Sequence, residues 1–367
     1  MYGSYSNGLL LSLLQEKEGL TGSESEYKII YISHPYKEII MNIDLNDSFE
    51  EISKIEPFNS LGSYLIFGGY KKESQYFKLR LCDVHEISWN TETVLCGLNR
   101  LQELGDMTEN IHPVYSEEEC AADPAKKDVH VTFLPAKTEI QKKDIIILVP
   151  GGSYTDVCSV CEGYPVASRL NELGYSAFIL NYRVSEEGIL PKPMDDLAAA
   201  VRYLLKNAES FGLSPENYVV CGFSAGGHLT SEWGTDNHGY SSYGLPKPAA
   251  MFPIYPEVNL KQFYPQYKEG FLLSMLGKDQ SEERISEYSA DQHVSEKYPP
   301  CYICLCRDDD IVPPENSMLL CRALEKAGVP YHLELDEKGG HGFGDGRGTD
   351  AYGWIDRAVE YYEALKK

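Results

Sequence analysis

Tyr218-Val219-Val220-Cys221-Gly222-Phe223-Ser224-Ala225-Gly226-Gly227-His228 reads as an apolar strand that breaks into a glycine-rich turn carrying one serine. The turn fits G-x-S-x-G in the context that pattern requires, after a strand and before a helix. A sharp strand-to-helix turn holds the serine backbone under strain, and side chains at the flanking glycines would strike neighbouring chain. The turn lifts the hydroxyl clear of the sheet, and the N-terminus of the following helix favours negative charge developing there. The same pattern also arises by chance as a turn that binds nothing, so its weight depends on its surroundings.

Those surroundings repeat strand and helix. Asp144 to Val149 is a continuous apolar run ending at Pro150-Gly151-Gly152, as expected of a strand buried on both faces. Further strands are predicted over Tyr175–Tyr182, Tyr218–Cys221, Ala249–Tyr255, Tyr302–Cys306 and Tyr331–Leu335. Helices are predicted over Gly163–Leu173, closed by Gly174, and over Asp195–Phe211, Glu315–Ala327 and Ala351–Leu365. The alternation predicts an α/β fold with a doubly wound, mostly parallel sheet. The irregular stretch 259–294, rich in Tyr, Ser and Glu, lies between two core strands where a lid or specificity insertion fits.

Residues 1–120 do not share the repeat. Strands are predicted over 27–32, 38–43 and Tyr76–Leu81, and a helix over Asn90–Leu104. The pattern reads as a small α+β accessory domain joined through the acidic stretch Ser116–Asp128 to a domain spanning 121–367. At 367 residues, two domains is the natural expectation.

Acidic residues outnumber basic ones 56 to 33, for a formal charge of −23. Such a surface repels phosphate backbones and anionic lipid, which argues against nucleic-acid or membrane partners. The run Leu9–Leu14 lacks the basic start of a signal peptide and reads as a short amphipathic helix. No apolar run is long enough to span a membrane. The chain is therefore expected to be cytoplasmic, with its ten cysteines as free thiols. Cys158-x-x-Cys161 lacks a second ligand pair, and Cys301, Cys304 and Cys306 read as small apolar filler in a strand, so a metal reading is disfavoured at both.

A serine hydroxyl is a weak nucleophile and needs a base. His341, in Gly339-Gly340-His341-Gly342-Phe343-Gly344 just after the last strand, can hang over the sheet's C-terminal edge. The histidine needs a carboxylate to fix its tautomer. Asp308, Asp309 and Asp310 follow the fifth strand, with Asp309 the first choice and Asp308 the second; the others read as a solvated turn. An oxyanion hole would come from backbone N–H groups of Gly151-Gly152-Ser153-Tyr154, with Ala225 as a second source. All these parts fall at strand C-terminal ends, where open α/β sheets place their sites.

On these residues the chain from about Val129 onward resembles the α/β-hydrolase esterases, nearest to the acetyl-esterase and acetylxylan-esterase-like branch. That branch overlaps feruloyl-esterase-like and hormone-sensitive-lipase-like enzymes. The resemblance rests on Pro150–Tyr154, Glu162–Ala167, Asn181–Val184, Gly222–Leu229, Asp309–Pro313 and His341–Phe343. It implies the α/β-hydrolase fold, with Ser224, Asp309 and His341 as a triad in that chain order and Gly152 and Ser153 as oxyanion donors. It selects Asp309 among the three aspartates. It further implies hydrolysis of carboxylic esters through an acyl-enzyme, with small acyl groups such as acetyl on a carbohydrate or small alcohol. Neither cofactor nor metal is required. Tyr154, Glu162 and Arg183, with the Tyr-rich stretch 255–267, are candidate substrate-binding residues, although tyrosine serves as often in ordinary packing. The family's His-Gly-Gly-Gly reads Pro150-Gly151-Gly152-Ser153 here, and residues 1–120 match nothing named. An amidase, formamidase or small peptidase on the same fold is the first alternative, and a non-catalytic scaffold the second. A small-molecule ester, such as an acetylated oligosaccharide, is the expected partner, and a homodimer the expected assembly.

Overall fold

The computed structural model describes residues 43–66, 75–138 and 141–367. The expected elements at 9–14, 27–32 and 38–43 lie outside these residues, apart from Ile43. In chain order the named elements are α1 (Phe49–Ile52), α2 (Thr91–Leu104), β1 (Ile111–Pro113), α3 (Glu117–Ala122), β2 (His130–Leu134), β3 (Ile145–Val149) and α4 (Tyr164–Glu172). Next come β4 (Ala177–Asn181), α5 (Lys192–Asn207), β5 (Tyr218–Phe223), α6 (Ala225–Trp233), β6 (Ala250–Ile254), α7 (Pro265–Leu276) and α8 (Glu282–Glu287). The chain ends with β7 (Cys301–Cys306), α9 (Glu315–Ala327), β8 (Tyr331–Asp336) and α10 (Trp354–Leu365).

The eight strands form one sheet in the order β1-β2-β4-β3-β5-β6-β7-β8. Pairing is parallel from β4 through β8, as the buried apolar runs predict. β1 and β2, which the sequence pattern does not announce, add antiparallel pairs at one edge. Every residue of β3, β4, β5, β6 and β7 is buried. Two flanking layers of helix produce that burial, and continuous Val, Ile and Leu suit it. The register sets Val149 beside Gly222 and Phe223 beside Ile254, so β3, β5 and β6 end level with one another.

The stretch Tyr76–Leu81 is not a strand. Tyr76–Lys78 lies in a 3-10 segment, Gln75–Lys78, Leu81 opens another, Leu81–Ile87, and between them Arg80 makes one isolated antiparallel bridge to Ser48. The alternation of Tyr76-Phe77-Lys78-Leu79-Arg80-Leu81 has no neighbouring ladder to join. Its backbone is satisfied instead by segment 45–49: Phe49 N–H donates to Leu79, and Leu81 and Cys82 N–H donate to Asp47 and Leu45. The helix predicted from Asn90 is present, with the Asn90 side chain accepting from Glu92 and Thr93 N–H. Its apolar face, Val94, Leu95, Leu98 and Leu101, is buried, and the helix packs on α4. The described residues ahead of position 121 fall in the same compact unit as the sheet. Among the described residues no helix is long and apolar enough to cross a membrane.

Candidate active site

The chain reverses sharply between β5 and α6. Ser224 stands at φ 52° and ψ −118°, a left-handed conformation that costs a non-glycine residue about 1–3 kcal/mol. A Cβ on Gly222 would lie 2.1 Å from the Gly226 carbonyl oxygen, and one on Gly226 would lie 2.0 Å from that of Val149. Both glycines are therefore sterically required, as the sequence pattern implies. The turn is held from the next strand by Ser224 N–H donating to Ile254 at 3.1 Å.

Three side chains from separate strand ends meet here. Ser224 Oγ lies 2.8 Å from His341 Nε2, and His341 Nδ1 lies 2.8 Å from Asp309 Oδ2. A carboxylate can only accept, so Nδ1 carries the proton and Nε2 is left to accept from the serine hydroxyl. The other Asp309 oxygen accepts from Ile311 and Val312 N–H, both at 2.9 Å, which fixes the carboxylate. Burial pulls the His341 pKa down, but the Asp309 carboxylate outweighs it, with Glu162 and Glu257 adding to the effect. The net direction is upward.

Asp308 does not compete with Asp309 for the imidazole. Its Oδ1 accepts from Gly339 N–H at 2.9 Å and Gly340 N–H at 2.8 Å, which pins the loop that presents His341. Asp310 is exposed.

The turn expected to supply oxyanion donors lies beside the same serine, since a Cβ on Gly151 would stand 2.8 Å from Ser224 Cβ. Gly152 has φ 126° and Ser153 φ 55°, so the backbone after β3 folds back on itself. The amides of Gly152, Ser153 and Ala225 donate to no acceptor among the described residues, whereas that of Gly151 donates to Glu162 at 2.6 Å. Unpaired N–H groups at a turn and at a helix N-terminus can hold an oxyanion. The 259–294 stretch contains α7 and α8 and borders this turn. Ser274 Oγ donates to the Ser153 carbonyl at 2.9 Å, and Tyr264 Oη donates to the Asp309 carbonyl at 3.0 Å.

The three candidate substrate-binding residues are placed otherwise. Tyr154 is wholly buried, and its hydroxyl bonds His228 Nδ1 at 2.7 Å. His228 Nε2 faces the Tyr288 carbonyl at 3.0 Å, so Nε2–H is its donor and Nδ1 its acceptor. Burial lowers the His228 pKa to about 4, so it stays neutral and is no second base. Glu162 is buried behind the site, with Oε2 on Gly151 N–H and Oε1 accepting from Tyr255 Oη at 3.0 Å. Its task is to hold the oxyanion turn. Arg183 bonds buried Asp196 through Nε at 2.9 Å and Asp123 through Nη1 at 2.8 Å. It is spent on an internal ion pair. These residues belong to sequence matches around the site, but motif membership does not separate supports from contacts.

Two residues at the start of the Tyr-rich stretch 255–267 stand beside the site. The Tyr255 ring lies 4.9 Å from the His341 ring, edge-on, and its hydroxyl also accepts from Gly344 N–H at 3.3 Å. Glu257, two residues on, is buried within electrostatic reach of His341, Asp309 and Glu162.

The family model BD-FAE matches residues 132–324, just over half of the chain. An acetylxylan esterase from Xylanibacter ruminicola is 31% identical over 220 residues, covering 59% of this chain and 44% of that protein. Endo-1,4-beta-xylanase B from Butyrivibrio fibrisolvens is 28% identical over 210 residues, covering 55% of this chain and 32% of that protein. The match thus spans about a third to under half of these curated relatives. Among solved structures, an acetyl ester-xyloside bifunctional hydrolase from Caldicellulosiruptor lactoaceticus superposes with a TM-score of 0.62 at 30% identity. That superposition covers 70% of this chain and 96% of the other.

Proposed function

From the premise that this chain belongs to the BD-FAE family of α/β-hydrolase esterases, we propose that it hydrolyses carboxylic esters with Ser224 as nucleophile. The observation that carries this reading is the unbroken line from Ser224 Oγ through His341 to Asp309, with 2.8 Å at each junction. Ser224 Oγ attacks the acyl carbon while its proton passes to His341 Nε2. The carbonyl oxygen, now an anion, takes hydrogen bonds from the Gly152, Ser153 and Ala225 amides. The C–O bond to the alcohol breaks, and the leaving oxygen takes the proton from His341, which leaves the acyl group on Ser224. Water then attacks with His341 again as base, and the carboxylic acid departs as serine regains its proton. Asp309 keeps the Nδ1–H tautomer and stabilises the imidazolium in both halves.

The preferred substrate in this reading is a small acyl group, above all acetyl, on a carbohydrate. The relatives named for acetylxylan and for acetyl ester-xyloside hydrolysis support it.

The test is turnover of p-nitrophenyl esters from acetyl to octanoyl, with Ser224→Ala alongside. Steep preference for acetyl, abolished in the variant, is the expected result. Unchanged turnover in the variant would remove Ser224 from the mechanism. No ester turnover, with Ser224 still labelled by a fluorophosphonate, would move the reaction to an amide bond.

A further inference from the structure

α7 is fastened to the candidate site at both ends. At its N-cap, Tyr264 Oη donates to the Asp309 carbonyl at 3.0 Å, and near its C-terminus Ser274 Oγ donates to the Ser153 carbonyl at 2.9 Å. Ser224 stands between the same two loops, linked to Asp309 through His341 and packed against Gly151. Phe271 and Tyr267 precede Ser274 by about one and two turns of helix, at the spacing that puts all three on one stripe. The stripe that meets the oxyanion turn therefore carries two aromatic rings between its anchors.

That stripe is covered at one end only. Ser274 and Met275 are buried, whereas Tyr264, Tyr267 and Phe271 are half-buried. An inward helix face is covered wherever the body of the protein meets it, so the two rings border open space between the Asp309 loop and the oxyanion turn. They stack on each other, with centroids 5.8 Å apart and planes 22° from parallel. Buried Phe263 meets Phe271 edge-on at 5.2 Å and holds the pair. A lone exposed apolar side chain is ordinary, but two held rings on an inward stripe call for an occupant. The Tyr267 hydroxyl has no hydrogen-bond partner among the described residues. A pyranose is apolar across the axial C–H bonds of its faces and polar around its rim, so it matches both the rings and the hydroxyl. An alkyl chain matches only the rings.

We propose that Tyr267 and Phe271 form a stacking platform for a pyranose ring in the alcohol half of the substrate. This rests on the ester-hydrolase reading above and adds to it the residues that select a sugar alcohol. The acetyl group is held at Ser224, and the sugar lies against α7.

The experiment compares kcat/KM for each monoacetate of methyl β-xylopyranoside with that for 2-hydroxyethyl acetate, which has the ester and a hydroxyl but no ring. The wild-type protein is expected to favour the best of the sugar esters about tenfold or more. Tyr267→Ala is expected to bring the ratio close to one through a higher KM for the sugar, while Tyr267→Phe, which keeps the ring, retains most of it. A wild-type ratio near one overturns the proposal, and so does a ratio that survives Tyr267→Ala. A wild-type preference for p-nitrophenyl octanoate over the acetate that Tyr267→Ala abolishes would make the rings an acyl-chain site instead. Hydrolysis of none of these esters by the wild type would sink the esterase reading itself, so the two failures are distinguishable.

Discussion

The sheet edge that carries Ser224, Asp309 and His341 announces itself in short motifs, whereas segment 75–104 touches the same site and carries no motif. At the edge, each residue of the candidate triad sits in a local pattern fixed by local physics: glycines around the serine turn, three aspartates after β7, glycines around the histidine. In the other segment the contacts are long-range. Thr93 Oγ1 donates to buried Asp345 at 2.7 Å across 252 positions, and Arg347 bridges Asp345 and Cys96 Sγ. The edge of the Trp89 indole lies beside Gly342. Both ends of this brace fall outside the family match at 132–324, as does His341. The candidate triad is thus written locally, while the pairs that brace the chain beyond His341 join positions that no window of sequence contains.

The comparison predicts graded effects on turnover. Asp309→Asn should lower kcat/KM about 10³- to 10⁴-fold, because the wrong tautomer then faces the serine. The base must be neutral, and the His341 pKa is raised, so in the wild type activity falls as pH drops through a value above about 6.5. Removing the Asp309 charge should move that acid limb to lower pH, as a pH profile of kcat/KM would show. A limb that stays in place would give the histidine another partner.

Asp308→Ala should cost about tenfold in kcat by freeing the Gly339 and Gly340 amides, and leave the acid limb unmoved. A loss as large as that of Asp309→Asn would erase the distinction between the two aspartates. Thr93→Val should lower stability by about 1–2 kcal/mol in denaturant titration, and kcat a few-fold. Lost stability with full activity would make the segment a prop for the fold alone. Arg183→Leu should have the smallest catalytic effect. It leaves Asp196 buried without its cation, so stability should fall by about 3 kcal/mol while KM holds. A rise in KM at unchanged stability would restore Arg183 as a substrate contact.

The same contrast governs how much the sequence reveals. The parallel strands were readable because a strand buried on both faces must be apolar throughout, as Ile145–Val149 is. β1 was not, being three residues long and only partly buried. Tyr76–Leu81 misled because alternation reports one covered face, and a 3-10 segment packed on Phe49 and Trp89 also has one. In the site, Ser224, Asp309 and His341 were legible from motif and chain order. Tyr154, Glu162 and Arg183 were legible as important but not as buried, because a polar residue near a motif looks alike whether it faces a ligand or a neighbouring carboxylate. Asp308 reads from the sequence as the second choice for the histidine's partner, since its actual partners, two amides 31 and 32 positions on, leave no trace in composition.

The central claim is that Ser224 is a nucleophile activated by His341, and covalent trapping tests it most directly. The protein would be treated with a fluorophosphonate, its intact mass measured, and the modified peptide sequenced. The account predicts one adduct per chain, on Ser224, absent in Ser224→Ala and formed far more slowly in His341→Ala. No adduct, or an adduct on another residue that persists in Ser224→Ala, would contradict it.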